Sequence, residues 1–183
     1  MMFVRHICFP ITTLGPGKRL GIWVSGCSKA CVGCMSEELK NREESDRISL
    51  ESLQRMITGY AGRIEGVTIS GGEPFDQVEE LAMLVAFLSK NVSEDILLYT
   101  GYTFEELQGM PGAERVLEHV ATLIDGAYVE SLDDGEGLRG SRNQKVVRID
   151  GRCDFDYLHA MRAQQLFVFG DSVLAVGLRR RGE

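Results

Sequence analysis

Four short apolar runs separated by stretches of helical periodicity constrain this chain more than any other feature. Gly21-Ile-Trp-Val-Ser25, Gly66-Val-Thr-Ile-Ser70, Ile96-Leu-Leu-Tyr-Thr100 and Ala121-Thr-Leu-Ile-Asp125 have the length and the glycine or polar boundaries of buried strands. Ile48 to Tyr60, with Ser49 as its N-cap, reads as a helix between the first two. Phe75 to Lys90 sets Val78, Leu81, Leu84, Val85 and Leu88 at helical spacing before the third. Two short helices, Phe104 to Gln108 and Glu114 to His119, flank the Gly109-Met-Pro-Gly112 break before the fourth. Parallel neighbours need a crossover helix, so the alternation implies an α/β fold with a mostly parallel sheet.

From about Glu130 the pattern weakens. Ser131 to Gly137 is a polar, glycine-rich loop, and Lys145 to Ile149 reads as an edge strand. Leu166 to Phe169 and Val173 to Val176 form a terminal hairpin around Gly170-Asp171. The last stretch, about 150–183, is expected to be a β addition that covers a sheet edge, with a surface for a different partner as the alternative. With 183 residues, 44% of them apolar and 26% charged, the chain is expected to form one domain spanning 1–183.

No apolar run approaches the roughly 20 residues that span a bilayer, and Met1 to Ile7 lacks the pattern of a signal peptide. A cytoplasmic protein with no membrane partner is expected. The net charge of −7 argues against nucleic acid as a partner, because phosphate binding favours a basic face. Arg179 to Arg181 reads as a solvated tail. Five cysteines, an odd number, make metal or redox chemistry a better reading than a disulfide framework in a reducing compartment.

Three of those cysteines form the run Cys27-Ser-Lys-Ala-Cys31-Val-Gly-Cys34, directly after the first strand. The spacing lets three thiolates of one loop face a common centre, and Gly26 and Gly33 free the backbone to curl around it. Iron-sulfur cubes and structural zinc sites normally take four protein ligands, so one corner is either filled from a distance or open. A zinc site would borrow Cys8, Cys153 or a histidine. An electron-transfer protein would close its cluster with a fourth cysteine that the run lacks. Cys8 and Cys153 otherwise read as small core residues.

The remaining polar signals also follow strands, where sites of parallel sheets collect. Gly71-Gly72-Glu73-Pro74 offers bare backbone and a carboxylate that could hold an ammonium group, although it is also good punctuation before a helix. Thr100-Gly101-Tyr102 and Asp125-Gly126 end the next two strands, so four motifs are expected around one mouth.

The cysteine loop followed by Ser70 to Pro74 resembles the radical S-adenosylmethionine enzymes, which implies a partial (β/α) barrel. A closer resemblance is to the activating enzymes of anaerobic, glycyl-radical ribonucleotide reductases. It is carried by Gly15-Pro-Gly-Lys-Arg19, Ile22-Trp-Val-Ser-Gly-Cys27, Cys31-Val-Gly-Cys34, Thr100-Gly-Tyr102, and Leu123-Ile-Asp-Gly-Ala-Tyr-Val129 leading to Arg139-Gly-Ser-Arg-Asn-Gln144. The similarity covers a core of about 3–149. It implies that Cys27, Cys31 and Cys34 hold a 4Fe-4S cluster whose fourth iron binds S-adenosylmethionine. Reductive cleavage of that cofactor would produce a 5'-deoxyadenosyl radical that takes hydrogen from a glycine of the partner enzyme.

The same resemblance places Gly71, Gly72, Glu73 and Pro74 at the methionine amino group and Thr100, Gly101 and Tyr102 along the cofactor cleft. Asp125 and the Arg139 to Gln144 stretch would complete the rim, with Arg139 a candidate for a carboxylate or ribose contact. Asp125 also fits a strand-end turn residue, Arg139 a structural ion-pair partner, and Tyr102 simple packing over the sheet end. The implied partners are a large glycyl-radical enzyme, an anaerobic ribonucleotide reductase, and a reduced flavodoxin-type electron donor. Another protein, a peptide or a small molecule would be an alternative substrate. Met35-Ser36 and Ala127 depart from the family pattern.

Overall fold

The computed structural model describes residues 1–149 and 161–178; Cys153 and Arg179 to Arg181 lie outside the described residues. In chain order the strands and α-helices are β1 (Met2–Ile11), β2 (Arg19–Val24), β3 (Arg47–Ile48), α1 (Leu50–Thr58), β4 (Gly66–Gly71), α2 (Val78–Asn91), β5 (Ile96–Tyr99), α3 (Phe104–Gln108), α4 (Ala113–Leu117), β6 (Thr122–Asp125), β7 (Lys145–Arg148), β8 (Gln165–Phe169) and β9 (Ser172–Val176). Seven strands form one open sheet in the order β3-β1-β2-β4-β5-β6-β7. The expected parallel sheet is its centre, since β2, β4, β5 and β6 run parallel while β1, β3 and β7 join antiparallel. Among the described residues no barrel is closed. Among the described residues no helix is long and apolar enough to cross a membrane.

Period-two alternation divides the sheet's side chains between two faces. Leu20, Ile22, Val24, Val67, Ile69, Ile96, Leu98 and Leu123 pack with Leu53, Ile57, Leu81, Leu84, Leu88 and Val116 of the helices. The sequence signals for those helices have physical counterparts. Ser49 caps α1 by accepting from the Ser52 amide, and Thr103 and Glu106 form a capping box on α3. The opposite face carries Cys8, Trp23, Thr68, Leu97, Tyr99 and Ile124, and is covered by Leu14, Leu138 and the β8-β9 hairpin.

That hairpin corrects one expectation. It forms its own two-stranded sheet and packs Val176, Phe167 and Leu174 over a sheet face, not along an edge. The reason lies in the other face: Trp23 and Cys8 need an apolar cover, and among the described residues no α-helix packs there, only Leu39, Leu14 and the hairpin. Strand β1 has no counterpart in the sequence reading. Register shifts between Val4 and His6, and between Cys8 and Ile11, break the alternation that would have marked it.

Arg19 explains part of the Gly15 to Arg19 motif. Its fully buried guanidinium bonds Thr68, the Val67 and Pro16 carbonyls and Asp95. It thereby ties β2, β4 and the approach to β5 together at the end of the sheet away from the cysteines.

Candidate functional site

The cysteine loop leaves β2 at Ser25 and is pinned at its start. The amides of Gly26 and Cys27 donate to the carbonyls of Leu39 and Lys40, and Ser28 donates twice to the Asp76 carboxylate through its amide and hydroxyl. Gly26 and Gly33 have φ of +93° and +70°, so both turns of the loop use backbone that side-chain-bearing residues rarely adopt. Cys27, Cys31 and Cys34 are each partly buried and line one cavity. The Cys27 thiol donates to the Lys29 carbonyl, and the Ser36 amide donates to Cys34 Sγ at 3.4 Å. Burial pushes the Cys27 thiol above its ordinary range, and the nearby carboxylates of Glu73 and Asp76 add to that.

The Gly71 to Pro74 turn forms the next wall. An added Cβ at Gly71, where φ is +117°, would lie 2.3 Å from the Val24 carbonyl oxygen, and one at Gly72 would lie 2.2 Å from that of Gly26. These glycines therefore let the turn press against the root of the cysteine loop, and their amide-side contact is sealed by the Gly72 to Val24 and Glu73 to Gly26 hydrogen bonds. Glu73 is 1% exposed and lines the cavity. Its carboxylate accepts from the Phe75 amide (3.0 Å), the Thr100 hydroxyl (2.8 Å) and the Gly101 amide (2.7 Å). Burial nevertheless pushes this carboxyl up to about 7, with Asp76 adding repulsion. Pro74 is buried at the start of the 3-10 turn that leads into α2 and does not line the cavity.

At the end of β5, Thr100 and Gly101 line the cavity, whereas Tyr102 stands outside it. The Tyr102 ring lies 3.5 Å beneath the Lys29 ammonium, and its hydroxyl is 3.5 Å from Ser28, so it holds the cysteine loop from without. Asp125 also lies outside the lining: its oxygens accept from the Phe104 and Lys145 amides, joining α3 and β7 to the end of β6. Arg139 is paired with Asp134 at 2.9 Å and does not line the cavity either. The structure thus brings together Cys27, Cys31, Cys34, Gly71, Gly72, Glu73, Thr100 and Gly101, and sets Pro74, Tyr102, Asp125 and Arg139 around them.

Several further residues line the cavity. Tyr99, Tyr128, Met35 and Leu178 face the cavity, as do Gly126, Gly140 and Gln144. Gln144 accepts from the Gly140 and Ser141 amides and donates to the Gly126 carbonyl, which folds the 139–144 stretch back onto the end of β6. The resemblance motif Arg139 to Gln144 contained this residue, but only the folded loop shows that Gln144 rather than Arg139 reaches the lining. Ala127, by contrast, lies in an adjoining open groove beside Val32 and Val129.

The cavity these residues line is open to solvent. Among the described residues, no three His, Cys, Asp or Glu side chains gather closely enough to hold a single metal ion. A 4Fe-4S cube spreads its thiolates more widely than one ion does, and three thiols around a cavity suit it. Cys8 is not available as a fourth ligand: it packs with Ile11 and Trp23, and burial pushes its thiol to about 11.

Comparison with known proteins bears on the same residues. A family model described as a 4Fe-4S single cluster domain matches residues 13–147, which include the whole cysteine loop and the strands that support it. The chain is 31% identical over 136 residues to the anaerobic ribonucleoside-triphosphate reductase-activating protein of Enterobacteria phage T4, covering 72% of this chain and 85% of that protein. It is 32% identical over 152 residues to the protein of the same name from Vibrio cholerae, covering 78% and 96%. The Escherichia coli K12 protein of that name is 29% identical over 150 residues, covering 77% and 96%.

Proposed function

The chain belongs to the 4Fe-4S single cluster domain family and to the anaerobic ribonucleoside-triphosphate reductase-activating proteins, and from that membership we propose that it is a radical S-adenosylmethionine enzyme that generates a glycyl radical on an anaerobic ribonucleotide reductase. The observation that carries this reading is that three thiols and the buried Glu73 carboxyl share one cavity. Three thiolates leave one iron of a cubane cluster without a protein ligand. A carboxyl held near neutrality by burial ionises readily once a cation arrives beside it. The amino and carboxylate groups of the methionine end of S-adenosylmethionine would fit the open iron, with an N–H of that amino group left to donate to Glu73.

In this reading Cys27, Cys31 and Cys34 hold the cluster. Glu73 would accept an N–H of the cofactor's amino group, and Thr100 and Gly101 orient Glu73 by donating to its oxygens. Gly71 and Gly72 keep that wall free of side chains. Tyr102 steadies Lys29 above the loop, Asp125 fixes the end of β6, and Arg139 acts through Asp134 on the loop that carries the rim. Held by these residues and reduced by an external electron donor, the cluster would supply the one electron needed to cleave the sulfonium to methionine and a radical able to take a hydrogen atom from a glycine of the partner. The protein's own work is to bind, to orient and to keep water from the cavity.

We read the four parallel strands with their crossover helices on one face as part of a (β/α) barrel, and 1–183 as one radical S-adenosylmethionine domain. Its open mouth suits a macromolecular partner and a reduced flavodoxin-type electron donor. The test is anaerobic incubation of the iron-loaded protein with S-adenosylmethionine and reductant. Formation of 5'-deoxyadenosine supports the enzyme class and its absence rejects it. Electron paramagnetic resonance of the cognate reductase after activation then reads the partner: a glycyl doublet supports the assignment, and none rejects it.

A further inference from the structure

The segment from Met161 to Leu178 lies beyond residues 13–147 that the family model matches, yet it reaches the cavity in two places. The first is Arg162, whose side chain is almost wholly buried. Its guanidinium donates to the carbonyl oxygens of Arg139 (2.7 Å) and Gly140 (3.1 Å) and pairs with Asp133 at 2.8 Å. A charge withdrawn from water in this way is tolerated only with such partners. Those partners belong to the strip that closes the cavity. The Gly140 amide donates to Gln144 at 2.7 Å and the Gln144 amide donates to the Gly126 carbonyl at 2.7 Å. Gly126, Gly140 and Gln144 all line the cavity, so a continuous chain of hydrogen bonds runs from Arg162 to the lining.

The second place is Leu178, which lines the cavity together with Ser70 and Tyr99. The strand before it is anchored to the body of the protein. Thr13 donates to the Val176 carbonyl at 3.0 Å, and Gln165 bonds both the Thr12 amide and the Pro10 carbonyl. Val176 itself is buried against Trp23 and Leu14. Both ends of the segment are therefore held, one at the rim loop and one beside the cavity wall.

We infer that this C-terminal segment completes the S-adenosylmethionine site, with Arg162 a positioning residue that fixes the Gly140 to Gln144 rim and Leu178 a part of the wall. The inference rests on the reading of the cavity given above. Arg162 acts through backbone: without it the Arg139 and Gly140 carbonyls lose their donor, the strip shifts, and Gln144 no longer presents the same surface. Leu178 acts directly, by giving the cavity an apolar side and excluding water.

The test uses the full-length, cluster-loaded protein under anaerobic conditions, as wild type, Arg162→Lys, Arg162→Gln and Leu178→Trp. Four quantities are read: iron content, thermal unfolding, the dissociation constant for S-adenosylmethionine by equilibrium dialysis, and the electron paramagnetic resonance spectrum of the reduced cluster with and without S-adenosylmethionine. Arg162→Lys keeps a charge for Asp133 but cannot span both carbonyls, so it should fold and hold iron like wild type. It should nevertheless bind S-adenosylmethionine about tenfold more weakly, the size of effect seen when a group that orients a binding residue is lost. Leu178→Trp should do the same by filling the cavity, and both should blunt the spectral change that S-adenosylmethionine causes. If Arg162→Gln fails to fold, the other two variants decide. Wild-type affinity and spectra in both overturn the inference while leaving the reading of the cavity intact. Failure of the wild type itself to bind S-adenosylmethionine rejects that reading and the inference with it.

Discussion

Replacing Glu73 by glutamine should flatten the pH dependence of stability, and the effect can be measured before any cofactor is present. Burial raises this carboxyl to about 7, whereas in the unfolded chain it returns to the ordinary glutamate value of about 4.3. The folded protein therefore holds the proton where the unfolded chain has released it. Stability from this group is fully present below the unfolded value and is lost as pH rises through the folded one. Between about pH 5.5 and about pH 8 the loss works out at about 2 kcal/mol. Glu73→Gln cannot titrate. It also has a fixed cost, because the Phe75 and Thr100 donors face one oxygen and the Gly101 amide the other. Its amide nitrogen must then meet a donor, at about 1–3 kcal/mol. That cost is the same at both pH values and drops out of the comparison.

The assay is urea unfolding of the metal-free protein under reductant at the two pH values, followed by far-ultraviolet circular dichroism and by fluorescence of the single tryptophan, Trp23, which is 9% exposed. The wild type should lose about 2 kcal/mol more than the variant between them, with unchanged slopes against urea. Parallel pH dependences in the two proteins would refute the claim that Glu73 is held near neutrality. S-adenosylmethionine binding to the iron-loaded protein should show the converse. If the N–H of its amino group meets Glu73, binding draws the carboxyl into its acceptor-only, charged form, and affinity should fall as pH drops below about 7.

The other expectations concern the frame and the thiols. Arg19→Met removes the partner of Asp95 and of the Val67 carbonyl, and should cost about 3 kcal/mol in denaturant unfolding; a loss within the error of the method would deny Arg19 its role as a brace. Gly71→Ala meets both a positive φ and the Val24 carbonyl, so it should destabilise by about 3 kcal/mol or more, whereas Gly62→Ala, which has the same sign of φ but no neighbour within 4 Å, should cost only about 1 kcal/mol. Equal melting points for these two variants would contradict the close packing of the turn on the cysteine loop. Alanine at Cys27, Cys31 or Cys34 should abolish the brown cluster absorption and the bound iron, while Cys8→Ala should keep both; iron loss from Cys8→Ala at unchanged fold would place the ligand set elsewhere.

The sequence by itself determined most of the frame. Alternating runs such as Val67 to Ser70 and the helical spacing from Val78 to Leu88 are local consequences of burial on one face, and they fell where the strands and helices lie. It also determined that the polar motifs follow strands, and so that they meet at one end of a parallel sheet. Strand β1 was hidden because its two bulges spoil the alternation. The place of the hairpin was hidden because nothing local in Val173 to Val176 says which distant surface lacks a cover. Tertiary structure alone decided which polar residues reach the cavity. Asp125 and Arg139 have the right chemistry, but the Phe104 and Lys145 amides occupy the one and Asp134 the other, and Gln144 stands on the lining instead. The protonation of Glu73 was likewise invisible in sequence. A carboxyl is shifted by what surrounds it in space, and both its burial and its contacts with Thr100 and Gly101 arise only where the packed strand ends meet.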